Sequence, residues 1–149
     1  LFYLVAWEDY YSYYYFWDQE FEQGKWFTAG GVKAPVPPTN REAIVTRSPE
    51  HGYAAVRALE PATGKLVWEF KMQDMSEAGI LTTASDVLFT GNREGYFFAL
   101  DAKTGGLLWK KYLGGQVIAS PITYEANGEQ YVGIAAGSSF FAFKVMGER

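Results

Sequence analysis

The sequence lacks cysteine altogether and contains only one histidine among its 149 residues. Without cysteine, disulfides and thiolate metal sites are excluded. Any Ser-His-Asp catalytic device would have to use His51, which lies in the turn-like segment 49–52 and is expected to be a solvated loop histidine. The sequence also contains no glycine-rich phosphate loop, no HExxH motif and no EF-hand spacing. No catalytic or binding site can therefore be assigned from these common motifs.

Positive charge and long apolar runs are also scarce. The formal net charge is −4, which argues against a nucleic-acid partner because phosphate binding needs a basic face. No apolar run reaches the length of a membrane span, so we predict no membrane-spanning segment. No signal peptide is recognisable, and the chain opens on LFYLVA without Met, as expected for a piece of a longer protein.

Aromatic residues are abundant, at 18% of the chain, and are concentrated in residues 1–27. The stretch 8–22 adds acidic side chains to these rings, a combination that could bind a cation or a sugar. It could equally be a packed lid whose acidic side chains are exposed to solvent, at the border of a substrate funnel. Residues 28–50 contain several prolines and glycines, which predict an extended connector rather than a helix.

A tandem repeat is the most informative feature that is present. Residues 58–68 read ALEPATGKLVW and residues 99–109 read ALDAKTGGLLW, so both fit A-x-[DE]-x-x-T-G-x-x-x-W. Trp68 and Trp109 are 41 residues apart, as are the two Thr-Gly pairs. A period of about 40 residues with strand-turn-strand content is typical of the blades of a β-propeller.

Short alternating segments separated by turn residues predict strands throughout the chain. Asn127-Gly128 is a strong hairpin signal because both residues tolerate positive φ. The predicted strands are 2–6, 53–59, 66–71, 79–83, 87–90, 96–101, 107–112, 117–124, 129–136 and 139–145.

The predicted fold class is all-β: a partial β-propeller of about three consecutive four-stranded antiparallel blades with tryptophan-docking motifs. A third copy of the repeat starts at Phe140 but stops after Ala142. Three blades cannot close a ring, so we predict a C-terminal fragment of a propeller that self-associates through open sheet edges. The predicted divisions are a strand at 1–7, a loop and connector at 8–51, the end of a blade at 52–78, a complete blade at 79–113 and an incomplete last blade at 114–149.

Each residue type in the repeat has a predicted structural task. The acid before the turn accepts turn amide hydrogens, the threonine offers a hydroxyl, and the glycine supplies positive φ. The small alanine leaves a shallow seat, over which a tryptophan of a neighbouring blade can lie. The predicted blade-docking residues are Ala58, Glu60, Thr63, Gly64 and Trp68 in the first copy, and Ala99, Asp101, Thr104, Gly105 and Trp109 in the second.

These repeats resemble the tryptophan-docking motif of the quinoprotein propellers, the alcohol dehydrogenases that depend on pyrroloquinoline quinone (PQQ). ASDVLFTG at 84–91 and GYFFALD at 95–101 are similar to that family's penultimate blade. GQVIASPITYEANGEQYVGIAA at 115–136 is similar to its final hairpin, and LFYLVAW at 1–7 is similar to a strand farther upstream.

The resemblance implies an eight-bladed propeller with PQQ and a calcium ion near its axis. It also implies that the protein is periplasmic or secreted. The family's catalytic aspartate and calcium ligands come from blades upstream of the matched residues, so no residue here is assigned to catalysis or to a metal. Two positions match cofactor contacts but depart from the family: Trp7 replaces an Asn, and Glu77 replaces a Trp. We expect the chain alone to bind neither PQQ nor calcium.

The first functional hypothesis is therefore the C-terminal propeller portion of a dehydrogenase that oxidises a small alcohol or sugar, with the missing upstream blades as its principal partner. By itself such a portion is expected to be inactive. The alternative is a non-catalytic propeller of the same superfamily that scaffolds protein partners, which the residues at 7 and 77 favour. A sugar-binding propeller that uses the tyrosine-rich segment is a third hypothesis.

Overall fold

The computed structural model describes residues 1–8, 20–25 and 52–144, and every regular element in them is a β-strand. The predictions for His51, for the connector at 28–50 and for most of the segment 8–22 lie outside these residues. No helix in the described part is long and apolar enough to span a membrane. The strands are β1 (Phe2–Glu8), β2 (Tyr53–Leu59), β3 (Leu66–Met72), β4 (Leu81–Thr82), β5 (Val87–Gly91), β6 (Tyr96–Asp101), β7 (Leu107–Tyr112), β8 (Ile122–Ala126), β9 (Glu129–Ala136) and β10 (Ser139–Lys144).

Three antiparallel sheets follow one another along the chain. The first sheet has the order β1-β2-β3, the middle sheet β4-β5-β6-β7, and the third sheet β8-β9-β10. The prediction of an all-β partial propeller is confirmed, but within the described ranges only the middle sheet has four strands. The pairing of β1 with β2 was not predicted, because the 44 residues numbered 9–52 separate these strands in the sequence.

The two copies of the repeat show which strands of the first sheet correspond to which strands of the middle sheet. Ala58 pairs with Trp68 and Ala99 pairs with Trp109, and both ladders have a bulge at the next residue. Thus β1, β2 and β3 correspond to β5, β6 and β7. Among the residues that the structure describes, the first sheet has no counterpart of β4. The third sheet, in which Ala142 lies on β10, has no counterpart of β7 among them.

Most predicted strands are confirmed to within two residues of their ends, with two corrections. The predicted strand 79–83 is reduced to Leu81–Thr82. The strand predicted over 117–124 begins only at Ile122, because the residues at its predicted start contact the middle sheet. Val117 is fully buried and donates its backbone N–H to the oxygen of Asn92, 3.0 Å away, so this segment fastens onto the middle sheet instead of extending β8.

Two apolar cores lie between the sheets. The first joins the first and middle sheets and is built from residues such as Val56, Leu88 and Leu100, all fully buried. The second joins the middle and third sheets around Phe97 and Ile134. Both faces of β6 are therefore covered, which explains its nearly continuous apolar sequence.

Candidate functional site

Trp7 and Glu77, the two positions matched to cofactor contacts, lie at the same end of the sheets. Trp7 is near the end of β1, and Glu77 is in the link between β3 and β4. The indole Nε1 of Trp7 donates to the backbone oxygen of Ser76, 2.7 Å away. Strand β1 is therefore fastened to the residue next to Glu77, which brings the two positions together although they are 70 positions apart in the sequence.

An ion pair occupies the neighbourhood of Glu77. Both Nε and Nη2 of Arg93 donate to Oε2 of Glu77, at 3.0 and 2.7 Å. Ser76 is almost fully buried, and its hydroxyl donates to the backbone oxygen of Gly91. The link after β3 is thereby anchored to the β5–β6 turn through both a buried hydroxyl and a partly exposed charge pair.

Asn92 organises that turn and is itself almost fully buried. Its side-chain oxygen accepts the N–H of Tyr96 at 3.1 Å, and its amide nitrogen donates to Glu94 at 2.8 Å. Its backbone oxygen accepts the N–H of Val117. A buried polar group is stable only when its hydrogen bonds are made, so Asn92 holds this end of the middle sheet in one conformation.

The chemistry available at this end does not by itself match PQQ. A flat quinone with several carboxylates needs cations and N–H donors around its edge. Arg93 is already paired with Glu77, and the Trp7 N–H is given to Ser76. The carboxylates of such a cofactor would have to be held by residues elsewhere. Within the ranges that the structure describes, no group of three or more His, Cys, Asp or Glu could hold a metal ion.

Trp68 links the first sheet to the middle sheet. Its side chain is 8% exposed, and Nε1 donates to the backbone oxygen of Ala102 at 3.0 Å. Its ring covers Gly105, since a Cβ placed on this glycine would lie 2.5 Å from Cε3 of the indole. The hydroxyl of Tyr3 donates to the same oxygen of Ala102, at 2.9 Å, so one carbonyl receives two side chains of the first sheet.

A glycine of the middle sheet lies directly beneath the ring of Trp68. This residue is Gly105, whose left-handed turn brings its backbone under the indole. Within the sheets, Ala58 lies opposite Trp68 and Ala99 lies opposite Trp109. The seat predicted at the two alanines stays a prediction.

Trp109 has a more open environment than Trp68. It is 40% exposed and contacts Phe97 in its own sheet and Phe143 in the third sheet, with edge-to-face ring geometry. The third copy of the repeat has no Thr-Gly pair after Ala142, so the sequence does not repeat there the turn that carries Gly105.

The acidic residues of the two repeats behave differently. Oδ1 of Asp101 accepts the N–H groups of Lys103 and Thr104, at 2.9 and 2.8 Å, and the Thr104 hydroxyl at 3.0 Å. The Thr104 N–H contributes most to lowering the pKa of the Asp101 carboxyl. In the first copy the N–H of Thr63, which is equivalent to that of Thr104, donates instead to the backbone oxygen of Glu60. The N–H groups of Gly64 and Gly105 donate alike, each to the backbone oxygen of the acidic residue in its own turn.

Tyr3, Ser76, Arg93 and Ala102 make the principal contacts that sequence reasoning missed. Tyr3 was included only in a strand, although a tyrosine on a buried strand generally needs a partner for its hydroxyl. Ser76 and Arg93 lie in links and turns, where the sequence carries no periodic signal. The contact of Ala102 is made by its backbone oxygen, which no side-chain pattern indicates.

Comparisons with known proteins agree with this architecture. The family model PQQ_2, described as outer membrane protein assembly factor BamB, matches residues 53–144. Quinoprotein alcohol dehydrogenase PedE of Pseudomonas putida is 49% identical over 82 residues, which are 55% of this chain and 13% of PedE. Quinoprotein ethanol dehydrogenase of Pseudomonas aeruginosa is 47% identical over 83 residues, again 13% of that protein.

Solved structures give the same result. Quinohemoprotein alcohol dehydrogenase from Comamonas testosteroni has a TM-score of 0.56 and 34% identity, over 60% of this chain and 13% of that one. BamB from Moraxella catarrhalis has a TM-score of 0.50 and 24% identity, over 60% of this chain and 26% of that one, and shows the fold alone. The chain thus spans a small part of these proteins, and it belongs to the PQQ_2 family of β-propellers.

Proposed function

We propose that this chain is the C-terminal propeller portion of a PQQ-dependent dehydrogenase that oxidises a small alcohol or a sugar. In this proposal a bound quinone accepts the electrons of the substrate. The catalytic aspartate and the calcium ligands belong to upstream blades. PQQ and calcium are cofactors of the longer protein, and the chain alone binds neither.

The observation that carries the proposal is the 49% identity to PedE over 82 residues. Identity also reaches 52% over 60 residues with a protein named 1-butanol dehydrogenase (quinone) from Thauera butanivorans. Identity at this level across strands and turns alike favours a shared mode of assembly as well as a shared fold. Because the match covers only 10–13% of these relatives, the activity is proposed for the longer protein.

The chain's own part in this function is structural. The contacts of Trp68 with Ala102 and Gly105 support a docking role for the two repeats, each holding one blade against the next. The open edges of β1 and β10 are the places where the remaining blades would add strands. In their absence we expect the chain to self-associate, and light scattering of a clean monomer at high concentration would contradict this.

The end that carries Trp7 is the part proposed to face the cofactor. The indole of Trp7 is 47% exposed although its N–H is satisfied, so its ring could provide an apolar wall beside a flat quinone. The Glu77–Arg93 pair would border that wall as a neutral, hydrogen-bonded rim. By analogy with quinoprotein dehydrogenases we place the longer protein in the periplasm or outside the cell.

The test is reconstitution of the longer protein with PQQ and calcium, followed by alcohol-dependent reduction of an artificial dye. We expect activity with at least one primary alcohol or sugar, and retention of PQQ in equilibrium dialysis by the longer protein only. Retention of PQQ by the 149-residue chain would refute the assignment of the binding residues to upstream blades. A quinone-loaded protein that oxidises no alcohol or sugar would refute the dehydrogenase proposal.

The second candidate is a non-catalytic scaffold that binds other proteins. It is favoured by the family model, described as an assembly factor, and by the Glu77–Arg93 pair at a position matched to a cofactor contact. The two candidates differ in one measurable property, since a scaffold takes up neither PQQ nor calcium even as the longer protein. Calorimetric titration of that protein with PQQ therefore separates them.

A further inference from the structure

A pocket lies between the first and the middle sheet, where three aromatic rings pack together. Its volume is about 310 Å³, at the lower end of the range for small-molecule sites. Phe70 of β3 contacts Phe98 of β6 edge to face, with ring centroids 5.5 Å apart, and the ring of Tyr96 lies 6.0 Å from that of Phe98. Neither Trp7 nor Glu77 lines this pocket, so it is distinct from the end proposed to face the cofactor.

Lys110 contributes a cation to the pocket. It pairs with Phe98 on the neighbouring strand, so both side chains lie on the same face of the middle sheet. Its Nζ lies over the ring of Tyr96, 5.3 Å from the ring centroid, a contact that favours a cation. Among the residues that the structure describes, none gives this ammonium an ion pair or a hydrogen bond.

The first sheet has an ion pair at the equivalent position of its ladder. The residue before the alanine of the repeat is Arg57 in the first copy and Phe98 in the second. The residue after the tryptophan is Glu69 in the first copy and Lys110 in the second. Arg57 and Glu69 pair across the ladder at 2.6 Å, whereas the buried ring of Phe98 cannot neutralise Lys110. The charge of Lys110 is therefore available to a ligand.

Glu94 contributes an anion from the turn between β5 and β6. Its Oε2 accepts the side-chain amide of Asn92 at 2.8 Å, and the oxygen of that amide accepts the N–H of Tyr96. Within the described ranges, Oε1 of Glu94 has no hydrogen-bond or ion-pair partner. One oxygen thus positions the carboxylate, and the other can accept a hydrogen bond from a ligand.

The second lysine of the lining already has partners. Nζ of Lys71 lies 4.2 Å from the centroid of the Tyr53 ring and 3.7 Å from a carboxylate oxygen of Glu69. The charges left for a ligand are therefore the cation of Lys110 and the anion of Glu94. A ligand with a carboxylate alone would bring an anion near Glu94, and one with an amine alone would bring a cation near Lys110. A molecule that carries both groups complements both side chains.

We propose that this pocket binds a free α-amino acid with an aromatic side chain. Lys110 holds the α-carboxylate, and Glu94 holds the α-ammonium. The ring of the ligand lies against Phe70 and Tyr96, where aromatic contact adds to the effect of the buried area. Binding does not depend on the proposed dehydrogenase activity, because neither PQQ nor the upstream blades take part in it.

The probe is L-phenylalanine added to the ¹⁵N-labelled 149-residue chain. We expect saturable amide shifts centred on residues 70–73, 92–98 and 107–110, with a dissociation constant of about 1 mM, because exposed ion pairs contribute little. 3-Phenylpropanoate, which lacks the ammonium, and 2-phenylethylamine, which lacks the carboxylate, should each bind about fivefold more weakly. Equal binding of the three probes, or no saturable shift at these residues, would overturn the proposal.

Lys110→Met and Glu94→Gln remove the two charges one at a time. Glutamine keeps an oxygen that can accept the Asn92 amide, so the turn is expected to be retained. Each variant should bind L-phenylalanine about fivefold more weakly than the wild type. Lys110→Met should also lose the preference for L-phenylalanine over 2-phenylethylamine, and Glu94→Gln the preference over 3-phenylpropanoate. A preference that survives removal of its own charge would contradict the proposal.

Lys111→Met and Glu125→Gln are the matched controls, because they change the net charge by the same amounts. Lys111 follows Lys110 on β7 and pairs with Phe97, so it lies on the opposite face of the middle sheet. Glu125 lies on β8 of the third sheet. We expect both controls to bind L-phenylalanine as the wild type does, and circular dichroism checks that all four variants keep their sheets. Equal losses in a variant and its control would show an effect of net charge and overturn the proposal, whatever the dehydrogenase assay of the longer protein gives.

Discussion

Trp68 of the first sheet donates a hydrogen bond across the sheet boundary to the backbone oxygen of Ala102 in the middle sheet, over 3.0 Å. The same oxygen accepts the hydroxyl of Tyr3, whose ring lies 5.8 Å from that of Trp68. Two aromatic side chains from different strands thus converge on one carbonyl. This convergence makes the contact between the first two sheets specific as well as apolar.

Trp68→Ala is predicted to lower the free energy of unfolding by about 3–5 kcal/mol, since it empties a large buried volume. Trp68→Phe, which keeps much of the apolar contact but loses the hydrogen bond, should cost less, about 1–3 kcal/mol. Urea unfolding followed by circular dichroism measures both. Equal losses for the two variants would show that the hydrogen bond to Ala102 contributes nothing beyond ring packing.

Trp109→Ala is the control for Trp68→Ala, because the two tryptophans occupy the same position of the repeat. Trp109 is 40% exposed and Trp68 8%, so less area returns to water when Trp109 is removed. We expect about half the destabilisation of Trp68→Ala or less, because the hydrophobic contribution scales with buried area. A larger loss at Trp109 would contradict the ranking of the two contacts.

Gly105→Ala and Gly64→Ala form a second matched pair. Both glycines have positive φ, so each substitution carries the backbone cost of a left-handed alanine, about 1–2 kcal/mol. Only at Gly105 would the new Cβ also collide with the Trp68 ring, at 2.5 Å. Gly105→Ala should therefore be more destabilising by a further ~1–3 kcal/mol, the usual cost of overpacking.

Thermal unfolding monitored by tryptophan fluorescence distinguishes these two effects. Gly105→Ala is expected to shift the emission of Trp68 as well as the melting temperature, whereas Gly64→Ala should change the melting temperature alone. Identical losses at the two glycines would mean that the ring moves away at no cost, and that Trp68 is not held in place over Gly105.

Much of the fold could be predicted because strands and turns are local. Alternating apolar residues and the Gly91–Gly95 and Asn127-Gly128 turns were enough to place β5, β6 and β9. The strand predicted from Val117 was wrong at its start because Val117 is buried against the middle sheet and gives its N–H to Asn92 rather than to a ladder. Burial gives the same sequence signature in both cases.

The site was less predictable than the fold. The positions of Trp7 and Glu77 were selected by resemblance, but their approach depends on the Ser76 backbone oxygen and on Arg93, which sequence spacing cannot connect. The contact of Trp68 with Gly105 could not be read from the spacing of the repeat for a related reason. Gly105 is close to the indole only because the turn folds back over the next sheet, and that distance is a tertiary property.

Arg57 is predicted to stabilise the outer face of the first sheet. Its guanidinium contacts Glu69 at 2.6 Å and Glu8 at 2.5 Å, and hydrogen bonding to Glu69 and then Glu8 raises the pKa of Arg57. Arg57→Met should cost about 1–2 kcal/mol after allowing for solvent screening, because it removes the cation shared by Glu8 and Glu69 and leaves Glu69 with the longer contact to Lys71 at 3.7 Å.

The matched variant is the double substitution Arg57→Met with Glu69→Met, which removes the partly buried carboxylate together with its cation. Replacement of an ion pair by apolar groups often changes the free energy of unfolding little. We therefore expect the double variant to recover most of the stability that Arg57→Met loses. Urea unfolding at low and high salt provides the measurement. If the double variant is less stable than Arg57→Met alone, the pairing with Glu69 is not the source of the effect.

Asp101→Asn is predicted to reduce stability in a pH-dependent way. The N–H and hydroxyl of Thr104 hold the pKa of the Asp101 carboxyl below its usual value in the folded chain. A carboxyl with a lowered folded pKa adds stability above its unfolded pKa of about 4, and loses it as pH falls through the folded value. Urea titrations between about pH 2 and pH 6 measure the free energy of unfolding of the wild type and of Asp101→Asn. The difference between the two free energies should decrease below about pH 4.

Glu60→Gln is the control, because the turn of Glu60 is held by its backbone oxygen. If the difference in free energy between the wild type and Glu60→Gln decreased in the same way, the assignment to Thr104 would be contradicted.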